Sequence, residues 1–111
     1  MKSILLLVSS SPFNPNGQMG LELARGLIKE GQQVSICLLQ DGIYFAVSRV
    51  WADRGHLREI VLNGVTYYVL QDDLIMRGFR QEEVEPRFKV INYPELVDLM
   101  MEDHQQVMGA F

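Results

Sequence analysis

Short runs of apolar residues alternate with amphipathic segments along the chain. Residues 4–8 and 34–39 are almost entirely apolar, which is typical of strands covered on both faces of a parallel sheet. Between them, apolar side chains recur at helical spacing over residues 17–30, and Gly31 is placed to end that helix. Gly26, inside the helix, marks either a close approach to the sheet or a tolerated glycine. The pattern predicts a βαβ unit with two parallel strands.

The middle of the chain is less regular. Apolar residues over 43–51 predict a second helix that begins near Asp41 or Gly42. The segment 60–70 has two interpretations, because an Asn-Gly pair between apolar runs is a strong hairpin signal, whereas Gly64 can equally end a helix. The preceding βαβα alternation favours the second interpretation, with a parallel strand after Gly64.

The last third of the chain predicts a short helix, a strand and a final helix. Asp72 is expected to cap the short helix. A strand over 88–92 precedes Pro94, which suits the first turn of a helix that runs through Met101. The tail, 105–111, is either an edge strand or frayed. The elements together predict an α/β fold, with a mostly parallel sheet of four to five strands between helices.

The composition fits one small acidic domain over residues 1–111. The chain has 14 acidic and 10 basic residues, a formal net charge of -4, and 48% hydrophobic residues, which suffice for one core without disulfides. A single cysteine can form no internal disulfide and fits a reducing, cytoplasmic setting. The acidic balance, with no basic cluster, argues against nucleic acid or anionic membrane as partners. The first apolar run is too short to span a bilayer.

Polar loops follow the predicted strands. In an open α/β sheet, ligands bind beyond the carboxyl ends of the strands. The loop 9–17 combines hydroxyls and amides before a helix, so it can be read as a phosphate site, although it matches neither GxGxxG nor a Walker loop. Ordinary loop capping explains the same residues. The candidate positions are Ser9, Ser10, Ser11, Gly17, Gln40, Asp41, Gly42, Gln71, Asp72 and Asp73, with residues 92–93 at the fourth strand.

Few residues offer catalytic chemistry. Cys37 is the only sulfur nucleophile, and its place inside an apolar strand predicts a buried, protonated thiol. The three loop aspartates resemble paired carboxylates for acid–base work, yet helix capping explains each of them. His56 and His104 have no companions at catalytic or metal-ligand spacing. The sequence predicts no metal site and no cofactor.

Aromatic and methionine side chains suggest an additional role in packing or association. Tyr67 and Tyr68 are adjacent in a predicted strand, so they must face opposite sides of the sheet. Met100, Met101 and Met108 fill gaps in the core or at an interface. One side of the molecule is therefore a candidate interface, although core packing could absorb these residues.

Two segments that follow predicted strands resemble the DsrE/DsrF/DsrH family. Residues 40–46 read QDGIYFA, and the more specific residues 68–78 read YVLQDDLIMRG. The resemblance extends over nearly the whole chain, from 11–13 through 90–93 to Phe111, and it is closest to the DsrH (TusB) branch.

This resemblance implies a flavodoxin-like three-layer α/β/α fold, with residues 57–63 helical and Gly64 as their cap. Sulfur-relay members assemble three homologous subunits into a hexamer, and a cysteine at the end of the third strand carries a persulfide in the DsrE (TusD) branch. Leu70 occupies that position here. A cysteine found early in the first helix of some DsrH proteins falls near Leu21, and Cys37 matches neither position.

Three hypotheses follow. The resemblance favours a non-catalytic subunit of a cytoplasmic sulfur-relay complex, which packs beside cysteine-bearing DsrE/DsrF-like subunits and helps to dock a small sulfur-carrier protein. Such a complex serves tRNA thiolation or sulfur oxidation. The alternative is a stand-alone module that binds a small ligand or nucleotide at the loops 9–17 and 40–42. Direct sulfur chemistry by Cys37 requires its strand to be more exposed than the pattern predicts.

Overall fold

A computed structural model describes residues 3–49, 62, 64–109 and 111. The five strands are β1 (Ser3–Val8), β2 (Gln33–Leu38), β3 (Thr66–Leu70), β4 (Phe88–Ile91) and β5 (Gln106–Met108). The α-helices in the described ranges are α1 (Pro15–Lys29), α2 (Gln71–Met76) and α3 (Tyr93–Asp98). Two 3₁₀ helices span Gln40–Phe45 and Gln81–Glu83, and a π-helical turn, Leu99–Asp103, continues α3.

The strands form one parallel sheet in the order β4-β3-β2-β1-β5. The predicted parallel α/β sheet is confirmed, and the tail forms an edge strand. The strand order differs from the order 2-1-3-4-5 of flavodoxin, although both sheets are open and parallel. Both edges of β3 pair with parallel strands, so no edge is left for an antiparallel hairpin partner and the hairpin interpretation is wrong. Gly64 has a φ of 83°, the left-handed conformation that glycine adopts at helix ends, but the helix predicted over 57–63 lies outside the described residues.

The strand order decides which face each connection covers. The chain steps in one direction across the sheet from β1 to β4, and then returns past β1 to form β5. Right-handed crossovers place the first three connections on one face and the last connection on the other. We call these the first face and the second face.

The first face carries most of the apolar core. Side chains of β1 to β4 pack there against α1, the first 3₁₀ helix and α2, through Leu21, Ala24, Phe45 and Leu74 among others. The strand residues on this face are Ile4, Leu6, Val8, Val34, Ile36, Leu38, Tyr67, Val69 and Phe88.

The second face is covered by a single short helical segment in the described chain. Leu96 of α3 and Leu99 of the π-helical turn pack on Leu5, Cys37, Leu70 and Ile91. Helices on both faces make the three-layer architecture that the resemblance implies. Tyr67 is buried on the first face and Tyr68 is partly buried on the second, which confirms that the adjacent tyrosines point in opposite directions.

The helix expected over 43–51 differs from the prediction. The backbone forms a 3₁₀ helix over Gln40–Phe45, and Val47 then makes an antiparallel bridge with Val84. The amide of Glu85 also donates to the carbonyl of Ala46 at 2.8 Å. These contacts with a distant segment override the helical pattern up to Val47, whereas Ser48 and Arg49 are helical as predicted. Residues 50–61 lie outside the described ranges.

Other predicted boundaries also shift. Helix α1 starts at Pro15 because the Oδ1 atom of Asn14 caps it. Gly26 makes no close approach, since a Cβ there would meet nothing within 4 Å. Asp72 is not a cap: α2 begins at Gln71, after Leu70, and Asp72 lies in its first turn. Asn92 caps the final helix, as two reciprocal hydrogen bonds with Glu95 show.

No helix in the described ranges is long and apolar enough to cross a lipid bilayer.

Candidate functional site at the carboxyl edge of the sheet

The polar loops predicted as candidate sites lie side by side along the carboxyl edge of the sheet, because β1, β2 and β3 are parallel neighbours. The loop after β1 contains Ser9, Ser10 and Ser11. The first 3₁₀ helix follows β2, and α2 follows β3 without an intervening loop. This edge therefore brings the three predicted segments together.

Ser11 organises the first loop. Its Oγ atom accepts the Phe13 amide at 3.2 Å, and its carbonyl accepts the Asn14 amide at 3.1 Å. A Cβ at Gly17 would lie 2.4 Å from the same carbonyl oxygen, so glycine is required there. The amides of Asn16 and Gly17 donate to the side chain and carbonyl of Asn14. These amides already have protein acceptors, which favours loop capping over phosphate binding.

A buried carboxylate joins the turn after β2 to α2. Asp73 is 8% exposed, and its Oδ2 atom accepts the Gln40 amide at 2.7 Å. Gln40 has a φ of 48°, a left-handed conformation that is uncommon for residues other than glycine. The hydrogen bond to Asp73 fixes this conformation, so the cap predicted for Asp73 is in fact a tertiary contact.

Arg77 extends this connection. Its guanidinium nitrogens lie 3.1 Å from Oδ1 of Asp41 and 3.7 Å from Oδ1 of Asp73. Arg77 was not among the predicted site residues, although its spacing of four residues from Asp73 on a helix is a known ion-pair signal. We call Gln40, Asp41, Asp73 and Arg77 the edge latch, because they fasten α2 to the turn after β2.

Gly42 closes the remaining gap to β1. A Cβ at this position would lie 2.1 Å from the Val8 carbonyl oxygen, and the Leu39 amide donates to that same oxygen at 2.9 Å. A side chain at residue 42 would push the turn away from the end of β1. Tight backbone packing and the edge latch thus make one continuous, rigid edge from β1 to β3.

Leu70 is the last residue of β3 and is 1% exposed. It packs on the second face with Leu5, Cys37 and Ile91. An aliphatic side chain that is sealed in the core can neither accept nor donate sulfur. The position at which the resemblance implies a persulfide cysteine is therefore chemically inert in this chain.

Cys37 is fully buried, as its apolar strand predicts. Burial, with a smaller contribution from the negative charge of Asp73, raises the pKa of the Cys37 thiol to about 12. The thiol stays protonated at neutral pH, and the thiolate is the form that attacks sulfur.

The described residues offer no cluster of three or more His, Cys, Asp or Glu side chains that could hold a metal ion. The Nδ1 atom of His104 lies 2.9 Å from the Leu99 carbonyl oxygen, far from the carboxyl edge. His56 lies outside the described residues.

Exposed apolar side chains flank the edge latch and were not predicted as a site. Ile75 and Met76 of α2 are both more than half exposed, and Phe13 projects from the loop after β1. Large apolar side chains exposed together are a common feature of protein interfaces. The edge thus combines a rigid polar backbone with an apolar rim, and its described residues include no exposed cysteine.

Known proteins resemble this chain in sequence and in fold. The family model described as DsrH like protein matches residues 11–107. Protein TusB of Yersinia pestis (strain Pestoides F) is 30% identical over 104 residues, which cover 94% of this chain and 98% of that protein. Protein TusB of Buchnera aphidicola subsp. Acyrthosiphon pisum (strain 5A) is 27% identical over the same shares of the two chains.

Solved structures extend the likeness to the fold. The ychN protein from E. coli superposes with a TM-score of 0.79 at 14% sequence identity, over 99% of this chain and 100% of the other. The protein MTH1491 from Methanobacterium thermoautotrophicum, whose function is unknown, superposes with a TM-score of 0.77 at 10% identity over the same shares. The family model covers most of the chain, and this chain therefore belongs to the DsrH-like family.

Proposed function

We propose that this chain is a non-catalytic subunit of a cytoplasmic sulfur-relay complex that serves tRNA thiolation. It packs beside homologous DsrE/DsrF-like subunits that bear the reactive cysteine, and it helps to shape the surface on which a small sulfur-carrier protein docks. Membership of the DsrH-like family and similarity to the TusB proteins support this role.

The observation that carries the proposal is the lack of a usable thiol. The sequence contains one cysteine, Cys37, and it is 0% exposed with its pKa raised to about 12. A sulfur carrier needs an accessible thiolate that can attack a persulfide and later be attacked itself. A chain of this family without such a group contributes through its surface, and its apolar rim beside a rigid edge suits contact with another protein.

Intact-protein mass after incubation with a persulfide donor tests the chemical part. We expect no gain of 32 Da, the mass of roughly one sulfur atom, on the native chain or on Cys37→Ser, because the thiol is buried and protonated. A gain on the native chain that Cys37→Ser abolishes would make this chain a sulfur carrier and refute the proposal.

Co-expression tests the assembly part. The chain is produced with the cysteine-bearing homologues encoded in the same genome, and sulfur transfer to the carrier protein is measured with and without it. We expect a stable complex, and transfer that falls when this subunit is omitted. Failure of the chain to co-purify with those homologues would contradict the proposal, even if the mass experiment agreed with it.

A further inference from the structure

The outer surface of α3 and its π-helical turn exposes apolar side chains that the fold does not need. Leu96 and Leu99 face the sheet, whereas Tyr93, Val97 and Met101 are 51%, 52% and 78% exposed. These exposed residues, with Met100, are spaced at roughly one and two helical turns, so they line one side of the segment. We call Tyr93, Val97, Met100 and Met101 the α3 stripe.

The segment that carries the α3 stripe is strongly acidic. Residues 93–103 contain four carboxylates, Glu95, Asp98, Glu102 and Asp103, and no lysine or arginine. Their combined charge equals the formal net charge of -4 of the whole chain. Among the described residues, no salt bridge neutralises Asp98 or Glu102, and both are exposed. The apolar stripe therefore shares its helical segment with carboxylates, of which Asp98 and Glu102 form no salt bridge among the described residues.

A shallow cavity lies between α3 and β4, on the flank of the segment that carries Glu95 and Asp98. It has a volume of about 250 Å³, and Tyr68 and Leu99 form part of its apolar lining. Glu95, Asp98 and Asp103 also line it, against the single cation Lys89. Apolar side chains beside carboxylates suit a long cationic side chain, which packs its methylene groups on Tyr68 and Leu99 and keeps its charged end beside the acids.

From these features we infer that the α3 stripe is the docking surface for a different protein subunit, whose contact face has an apolar centre ringed by lysine or arginine side chains. One of those cations occupies the cavity beside Asp98. This inference rests on the proposed function, since the partner is one of the homologous subunits of the relay complex, and it specifies which surface binds that partner and through which chemistry.

Charge decides against a second copy of this chain as the occupant. A symmetric contact through the stripe would bring Asp98 and Glu102 of one copy towards the same residues of the other, and like charges across an interface are unfavourable. A basic surface has the complementary charge. The methionines add adaptability, because their flexible thioethers fit contact surfaces of different shape.

Binding to the co-expressed cysteine-bearing homologues provides the test. The variant Val97→Gln/Met101→Gln removes the apolar centre without changing the charge, and Asp98→Lys reverses the charge at the cavity. We expect each to weaken the complex at least about tenfold, as truncation of central contacts does. Met19→Gln on α1, an exposed methionine elsewhere, is the matched control and should bind normally. Circular dichroism confirms that every variant is folded.

The outcomes separate the two proposals. A native complex that survives both α3 variants with unchanged affinity would overturn this inference and leave the proposed function standing. A native chain that binds none of the homologues would overturn the proposed function, and this inference with it. If the isolated chain sediments as a dimer that Val97→Gln/Met101→Gln converts to monomer, the occupant is a second copy and the inference is wrong.

Salt dependence gives an independent readout of the charge. We expect affinity to fall as NaCl rises, and to fall less steeply for Asp98→Lys. An affinity that does not respond to salt would contradict a basic partner surface.

Discussion

The two faces of the sheet are built from the same strands yet are covered very differently. On the first face, the connections between strands also bind one another: Tyr44 and Phe79 rings meet edge to face at 5.7 Å, and Arg49 lies over Phe79 at 5.0 Å. On the second face, α3 and its π-helical turn are the one helical segment of the described chain that covers the strands, and Leu96 and Leu99 anchor it. The first face is a closed core, whereas the second presents an acidic outer surface with exposed apolar side chains.

This difference shows how strand order determines the number of helical segments that cover each face of the sheet. Three crossovers that step in one direction stack their segments on one side, and one returning crossover must cover the other side. A six-residue helix followed by a π-helical turn is short for that task. The docking surface that we propose lies on this side.

The largest expected difference between the faces concerns two adjacent leucines of β1. Leu6 points into the first face and Leu5 into the second, and both are 0% exposed. We expect Leu6→Ala to lower the free energy of unfolding by about 4 kcal/mol and Leu5→Ala by about 2.5 kcal/mol, because the single helical segment can settle into the vacated space. Urea denaturation measures both; an equal or larger loss for Leu5→Ala would mean that the second face is packed as rigidly as the first.

Removal of the carboxylate from the edge latch should have the next largest effect. In Asp73→Ala the Gln40 amide loses a charged acceptor, and the free energy of unfolding should fall by about 2 kcal/mol. Asp73→Asn keeps an oxygen that can accept this hydrogen bond, so it should lose less than half as much. Thermal unfolding of both variants gives the comparison, and equal losses would show that the negative charge matters more than the hydrogen bond.

Alkaline pH should destabilise the fold through a group on each face. Burial raises the pKa of Cys37 on the second face, from 9.0 to about 12, and also raises the pKa of Tyr67 on the first face. Both groups lose protons more readily in the unfolded chain. The contribution of these two protonated groups to the free energy of unfolding is therefore fully present below about pH 9. It falls as the pH rises towards 12, with a slope that approaches about 1.4 kcal/mol per pH unit for each titrating group.

Denaturation curves at several pH values, with Cys37→Ala as the comparison, separate the two groups. This variant should show a shallower decline between pH 9 and 10, because the tyrosines ionise at higher pH even when unfolded. Native Cys37 should also resist alkylation at pH 8 until the chain unfolds. Identical pH profiles for the two proteins would show that the thiol is less buried than the structure has it.

The smallest expected effect compares the two helix caps. Asn14 caps the 15-residue α1, and Asn92 caps the six-residue α3. We expect Asn14→Ala to cost about 0.7 kcal/mol and Asn92→Ala about 1.5 kcal/mol, since the Asn92 side chain accepts the Glu95 amide as one half of a capping box in a helix of fewer than two turns. Amide hydrogen exchange should show faster opening of α3 in Asn92→Ala, with the amides of β2 unchanged. Slower or unchanged exchange in α3 would contradict this.

Local pattern predicted the strands well and the connections less well. Continuous apolar runs identified β1 and β2 because strands buried on both faces tolerate almost no polar residue. The segment after β2 was predicted as an ordinary helix, and its 3₁₀ geometry depends on the approach of Gly42 to Val8 and on the bridge from Val47 to Val84. Such contacts join residues that are far apart in the sequence, so no local pattern predicts them.

At the candidate site too, local pattern predicted some features and contacts between distant residues decided the others. The sequence predicted that the serine loop, residues 40–42 and residues 71–73 would share one edge, since parallel strands bring their carboxyl ends together. It did not predict that Asp73 would hold Gln40 in a left-handed conformation or that Arg77 would bridge two aspartates. These roles depend on the distance between two loops, which only the fold fixes.

By itself, the sequence determined the α/β class with its parallel sheet, the burial of Cys37 and the leucine at position 70, because each follows from the periodicity of apolar residues or from residue identity alone. The tertiary structure decided that the sheet runs β4-β3-β2-β1-β5 and hence that one face receives a single helical segment. It also decided that the apolar residues of α3 point outwards beside unpaired carboxylates. Strand order and exposure are properties of how distant segments pack, and the energies that select them come from contacts between residues that are remote in the chain.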